Sequence, residues 1–212
     1  EKSGIDLPAE ASPVADVTYH SLEKMGIAEL SSSSFGQTFQ VSPIQVVNAI
    51  STIANGGKLM QPYVVDSILD SDGNVIAKTQ SKVKRQVISE KTASTVAEMM
   101  EKVVSKGTGK NAYVAGYHVA GKTGTSEKIG KEGAYIASFA GFAPANNPKI
   151  AILVAIDEPT GAHGGGVVAA PIAGEILEKV LAYLNIEPQY EDAEMKNVSS
   201  TTPSLVGLSV AQ

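Results

Sequence analysis

Gly116-Tyr117-His118-Val119-Ala120-Gly121-Lys122-Thr123-Gly124-Thr125 is the stretch on which the reading of this 212-residue chain turns. Gly116 to Thr123 matches G-x-x-x-x-G-K-[ST], the loop whose backbone amides cradle nucleotide phosphates. The apolar run Ile150 to Ile156, followed by Asp157-Glu158, imitates the strand and acid that hold magnesium in nucleotide hydrolases. Such a loop, however, needs a helix beginning at its lysine, because the first amides of that helix bind the phosphates. Here Gly124, Gly130 and Gly133 follow within a charged run, and each interior glycine costs a helix about 1 kcal/mol relative to alanine. Tyr117 and His118 are also bulky where a phosphate nest wants small residues. The same residues therefore read better as a strand.

As a strand, Tyr117 to Thr125 alternates so that Lys122 and Gly124 share one face while Thr123 and Thr125 share the other. The twist of an edge strand can still bring the lysine and the second hydroxyl to one cleft. Gly121 and Gly124 leave the backbone uncovered, so an extended peptide can pair alongside it. A cation beside hydroxyls suits a carboxylate. Two more strands follow, Ile136 to Phe142 and Lys149 to Ile156. The second is a continuous apolar run of the kind expected for a central strand covered on both faces. Asn146-Asn147-Pro148 is too short for a parallel crossover and predicts an antiparallel pair.

Helices frame these strands. Ser42-Pro43 opens one, with Val46, Val47, Ile50, Ile53 and Ala54 at helical spacing and Asn55-Gly56-Gly57 as its stop. Ser89 caps another, whose apolar face draws on Ala93, Val96, Met99, Met100 and Val103 before Gly107-Thr108-Gly109. Pro171 sits in the first turn of a third, with a stripe of Ile172, Ile176, Leu177, Val180, Leu181 and Leu184. Ser21 to Glu29 predicts a short helix that Ser31-Ser32-Ser33-Ser34-Phe35-Gly36 breaks. Asp72-Gly73-Asn74 predicts a hairpin turn between Asp66–Leu69 and Val75–Ala77. Residues 1–16 read as an extended lead-in.

Composition narrows the function classes. Hydrophobic residues make up 43% and charged residues 18%, with a net charge of -5, which fits a globular chain and argues against a nucleic-acid binder. The absence of cysteine rules out disulfides, thiolate metal sites and cysteine nucleophiles. No run approaches the ~20 apolar residues of a membrane span. No metal site or cofactor is expected, since Asp157-Glu158 has no third ligand at a fitting distance. His118 reads as a half-buried packing residue and His163 as a loop residue beside the cleft.

The Lys122-Thr123-Gly124 tripeptide is one signature element of the serine acyltransferases that include penicillin-binding proteins and β-lactamases. Further stretches occur in family order: Glu1-Lys2-Ser3-Gly4-Ile5-Asp6-Leu7-Pro8, Phe35-Gly36-Gln37 with Ser42-Pro43, Asn55-Gly56-Gly57 and Gly107-Thr108-Gly109. They continue with Gly121 to Thr125, Phe139-Ala140-Gly141-Phe142-Ala143-Pro144 and Gly165-Gly166-Val167-Val168-Ala169-Ala170-Pro171. The chain resembles the C-terminal half of the transpeptidase domain of class B penicillin-binding proteins, the sporulation type above all. Gln37-Thr38 departs from relatives that carry glycine after the glutamine. Pro203 to Val210 is similar to the opening of a PASTA module.

The resemblance implies an α/β (α+β) transpeptidase fold like that of the serine β-lactamases, with helices on an antiparallel sheet. It divides the chain into residues 1–186 of the transpeptidase domain, an acidic, polar linker at 187–202 and the start of a PASTA-like module at 203–212. The implied reaction is acyl transfer from the D-Ala-D-Ala end of a peptidoglycan stem peptide to a neighbouring amine. β-Lactams would mimic that substrate. Lys122, Thr123, Gly124 and Thr125 would form the substrate-binding strand, with the lysine and both hydroxyls on the carboxylate and the Thr125 backbone N–H as half of an oxyanion hole. The family's S-x-x-K and S-x-N motifs are missing from their places. Ser21-Leu22-Glu23-Lys24 has the first spacing but lies between segments that follow both motifs, no S-x-N occurs, and Tyr183-Leu184-Asn185 comes after Lys122. The resemblance thus implies that the nucleophile, its lysine base and an N-terminal membrane anchor precede Glu1. The parent would act on the extracytoplasmic face of a bacterial membrane, with stem peptides, β-lactams and the N-terminal half of the domain as partners and no nucleic acid. Alternatives are a nucleotide hydrolase or a non-catalytic wall-binding scaffold.

Overall fold

The structure, a computed structural model, describes residues 2–14 and 18–190. From residue 191 onward, the expected linker and PASTA-like module lie outside the described residues. The first helix, α1 (Ile27–Ser34), corrects the expected start and break. Ser21 to Lys24 forms a turn, closed by Lys24 N–H on Ser21 O at 3.0 Å, and the serine run is helical. The serines fit because their hydroxyls bond back one turn, Ser32 to Glu29 O at 3.1 Å and Ser34 to Ser31 O at 2.6 Å.

Helix α2 (Pro43–Ala54) begins as predicted, with Ser42 N–H donating to Gln45 Oε1 at 2.8 Å. It ends at Gly56 and Gly57, whose φ values of 76° and 87° suit glycine. Strand β1 (Lys58–Met60) follows, then β2 (Ser67–Leu69), β3 (Val75–Lys78) and β4 (Val83–Gln86). The expected hairpin is β2–β3, its turn fastened by Asp70, whose carboxylate accepts the Asp72 and Asn74 amides. Strand β4, antiparallel to β1, escaped the sequence reading because all four of its residues are exposed and carry no apolar alternation. The lead-in is held by side chains. Asp6 accepts Val64 N–H at 2.7 Å and Val65 N–H at 3.0 Å, and these amides hold its carboxyl below the usual range.

Ser89 caps α3 (Glu90–Lys106), its Oγ accepting Thr92 N–H at 3.1 Å. The helix buries Ala93, Ala97, Met100 and Val104. Met99, predicted on the core face, is 59% exposed, so the packed stripe runs one step round from the expected one. After a 3-10 turn at Lys110–Ala112 come β5 (Ala120–Glu127), β6 (Tyr135–Ala143) and β7 (Ile150–Asp157), then α4 (Gly165–Val168) and α5 (Ala170–Tyr183).

The three long strands form one antiparallel sheet in the order β5-β6-β7. The central strand is β6; β7, predicted central, lies at an edge among the described residues and is only half-buried. Small residues and two phenylalanines let β6 take the middle, with Ala137, Phe139 and Phe142 all fully buried. Phe139, with Ile152, Val154 and Ile156 of β7, packs against Ala173, Leu177 and Leu181 of α5. Phe142 and Ala120 pack with Ala97 and Met100 of α3 and with Ile50 and Ile53 of α2. Each buried phenylalanine contributes about 1.5–3 kcal/mol of transfer free energy. Ile172 and Ile176 of α5, and Leu184 just past its end, face outward at 41%, 40% and 44% exposure, so the inner stripe is built from Ala170, Ala173, Gly174, Leu177 and Leu181. The architecture is α+β, with helices on both faces of the antiparallel sheet.

Candidate substrate-binding strand

Strand β5 carries Lys122, Thr123, Gly124 and Thr125 at the sheet edge opposite β7. A strand, not a helix, runs through and beyond Lys122, so the helix that a phosphate loop requires is absent. Thr123 and Thr125 point to the same face, as alternation predicts. Thr123 Oγ1 lies 3.1 Å from Thr108 Oγ1, and Thr125 Oγ1 accepts Gly165 N–H at 3.1 Å. Lys122 Nζ donates to the Thr123 carbonyl at 2.7 Å, which folds the ammonium back onto the strand.

The glycines make this arrangement possible. Gly165 lies directly on the sheet, where a Cβ would run into the carbonyl oxygens of Gly124 and Ser138. A Cβ on Gly166 would meet Thr108 O. The turn into α4 can therefore sit against β5 and aim an amide at Thr125. Asn111 Nδ2 donates to Gly166 O at 2.8 Å and ties the same turn to the segment after α3.

Proton counting shows what the strand can hold. Thr125 spends an acceptor position on Gly165, so its own O–H is left to donate. The Thr108–Thr123 pair shares one proton and retains the other. An ammonium and two hydroxyl protons along one edge strand form a donor set fit for an anion. An open cleft of about 630 Å³ adjoins the far end of β5, bounded by Gln37, Thr38, Phe39, Ser126, Glu127 and Ile129.

Thr108, Asn111 and Gly165 were missed as site residues. Gly107-Thr108-Gly109 reads locally as a helix stop and Gly164-Gly165-Gly166 as a loop; only the tertiary fold brings them to β5. A second S-x-x-K match, Ser81-Lys82-Val83-Lys84, was also missed. It leads into β4, and Lys84 Nζ bonds to the carbonyls of Lys2 and Ser3. Ser21 and Lys24 occupy a turn, without the helix on which their spacing would align them.

The remaining candidates have local duties. His118, with φ 44°, sets Nδ1 2.7 Å from Glu101 Oε1 and Nε2 3.2 Å from Gln189 O. Asp157 and Glu158 are paired, with Lys128 Nζ reaching Asp157 Oδ1 at 3.0 Å and Glu158 Oε1 at 2.8 Å. Lys131 also bonds Glu158. The hydrogen bonds from the two lysines hold the Glu158 carboxyl down at about 2. His163 stacks on Tyr135, ring centroids 4.1 Å apart and planes 13° from parallel. Among the described residues no helix is long and apolar enough to cross a membrane.

Comparison with known proteins shows which family the chain resembles. The family described as the penicillin binding protein transpeptidase domain matches residues 1–178. Stage V sporulation protein D of Bacillus subtilis is 41% identical over an alignment covering 100% of this chain and 34% of that protein. Peptidoglycan D,D-transpeptidase FtsI of Escherichia coli K12 is 36% identical over 80% of this chain and 28% of its own length. The chain thus spans about a third of these relatives. Among solved structures, penicillin binding protein 3 of Mycobacterium tuberculosis, complexed with ampicillin, superposes with a TM-score of 0.79 at 27% identity, over 90% of this chain and 44% of that one. The transpeptidase domain of penicillin-binding protein 3 from Burkholderia pseudomallei gives 0.72 at 33% identity, over 88% and 54%.

Proposed function

The chain belongs to the penicillin-binding protein transpeptidase domain family, and from that premise we propose that it is the carboxylate-binding part of a peptidoglycan D,D-transpeptidase. The observation that carries this reading is the donor set on β5: Lys122, the Thr108–Thr123 hydroxyl pair and Thr125 backed by Gly165. A stem peptide ending in D-Ala-D-Ala offers a free carboxylate and an extended backbone, and an edge strand can bind both. A β-lactam offers the same carboxylate beside its reactive amide. The Thr125 backbone N–H serves as one oxyanion-hole donor, a contribution typically worth about 3–4 kcal/mol in the transition state.

The nucleophilic serine and its base come from outside residues 1–212. Neither S-x-x-K match lies on a helix, and S-x-N does not occur. The same N-terminal half of the domain covers the apolar side of α1, where Ile27 and Leu30 are 90% and 62% exposed. Residues 187–202 form the linker to a PASTA-like module. The protein works on the outer face of a bacterial membrane, held by a segment that is not part of this chain.

Labelled penicillin tests the proposal on the full-length protein. A covalent adduct that survives denaturation is expected. Reversible carboxylate binding with no adduct would leave only a wall-binding scaffold.

A further inference from the structure

Residues 158–165 cross from the end of β7 to α4, and three separate contacts pin them to the β5–β6 hairpin. At the first, Glu158 sits in the left-handed region at φ 50°, a conformation unusual for a residue with a side chain. Its carboxylate takes Lys128 and Lys131 of the hairpin turn, and its N–H donates to Tyr135 O at 2.8 Å. At the second, the His163 ring lies flat on Tyr135, the first residue of β6. At the third, Gly165 N–H donates to Thr125 Oγ1.

The anchors all belong to one short piece of sheet. Thr125 and Lys128 are three residues apart, and Tyr135 pairs with Glu127 across the hairpin. The segment is thus clamped at three points to the β5–β6 hairpin, whose first strand carries the hydroxyl it contacts. A loop left free would move Gly165 relative to Thr125, and a hydrogen bond weakens steeply with misalignment. With both ends fixed, the Gly165 amide arrives at one place and occupies one lone pair of Thr125. That removes one of the three staggered directions open to the Thr125 proton and turns it away from Gly165.

We propose that Glu158 and His163, neither of which is asked to touch substrate, are positioning residues that set the Thr125 hydroxyl for the substrate carboxylate. The charged clamp and the ring stack act through the segment between them. This inference rests on the proposed carboxylate role of Thr125.

The test uses the full-length protein with a labelled penicillin and with the methyl ester of the same penicillin, which lacks the carboxylate charge. Glu158→Gln and His163→Ala should each slow acylation by the free acid at low concentration by about three- to tenfold, the scale of one misplaced hydrogen bond. His163→Phe, which keeps a ring to stack, should restore the rate to within about twofold. The ester should be acylated at the same rate by all four proteins. In a Thr125→Val background, His163→Ala should cost nothing further, because its effect runs through the absent hydroxyl. Equal losses on acid and ester, additivity with Thr125→Val, or unchanged rates would each overturn the proposal. If Glu158→Gln fails to fold, Lys131→Gln removes one of the two cations and must show the same acid-selective loss. A wild-type protein that forms no adduct at all would sink the transpeptidase reading itself, an outcome distinct from any of these.

Discussion

The hydroxyls of Thr108 and Thr123 stand 3.1 Å apart, one from the loop after α3 and one from β5. Of their two protons, one is spent between them and the other remains for a ligand. Thr108→Val keeps the shape of the side chain and removes that relay. In the full-length protein it should slow penicillin acylation about three- to tenfold, the range of a lost hydrogen bond. Thr108→Ser should act like the wild type, as acylation kinetics will show.

Gly165→Ala should lower stability by about 1–3 kcal/mol, the usual cost of forcing a methyl group into a packed site. Its Cβ would collide with Gly124 O and Ser138 O, whereas a Cβ on Gly164 meets only Val167 Cγ2 at an ordinary 3.7 Å. Gly164→Ala is therefore the matched control, expected to be nearly neutral in denaturant unfolding.

The Glu158 clamp has a defined pH window. Its carboxyl is lowered in the fold from 4.5 to about 2 by Lys128 and Lys131, so the stability it contributes is complete above 4.5 and is lost as pH falls toward 2. Thermal melts of the wild type should exceed those of Glu158→Gln at neutral pH and converge with them as the pH falls through that interval. The gap should also shrink with added salt, because the pair is exposed.

Magnesium-ATP should show no saturable binding by calorimetry up to about 1 mM, a ΔG of about -4 kcal/mol. Lys122 lies within a strand that runs on to Glu127, with its ammonium on the Thr123 carbonyl, so the helix that a phosphate loop begins at its own lysine is replaced by sheet.

Much of this was legible in the chain. Ser42-Pro43, Ser89 and Pro171 announce their helices because caps and prolines act on the nearest turn, and Asp72-Gly73-Asn74 sets its hairpin for the same local reason. The strand that carries Lys122, Thr123 and Thr125 was legible from its residues, but alternation put the lysine and the two hydroxyls on opposite faces, and their grouping as donors rested on edge-strand twist and on the family resemblance. Thr108 and Gly165 were not legible, because they reach β5 from 15 and 40 residues away in sequence and only through packing. The same limit hid β4, whose exposed Val83-Lys84-Arg85-Gln86 has no apolar pattern and becomes a strand by pairing with β1. The rank of β7 in the sheet misled for a related reason. An apolar run reports burial, and the half-buried edge strand here owes its Ile and Val residues to α5 on one face.

Gln189 is stitched down three times: its N–H to Gly116 O at 2.7 Å, its carbonyl to His118 Nε2 at 3.2 Å and its side chain to Asn146 Nδ2 at 2.9 Å. These partners lie just before β5 and between β6 and β7. Tension applied to the chain beyond Tyr190 is therefore delivered at this stitch, into the roots of the sheet, before α5 begins to unwind. The stitch works as a strain relief, in the manner of a cable clamp, and keeps a tug on the trailing polypeptide from being taken up by α5.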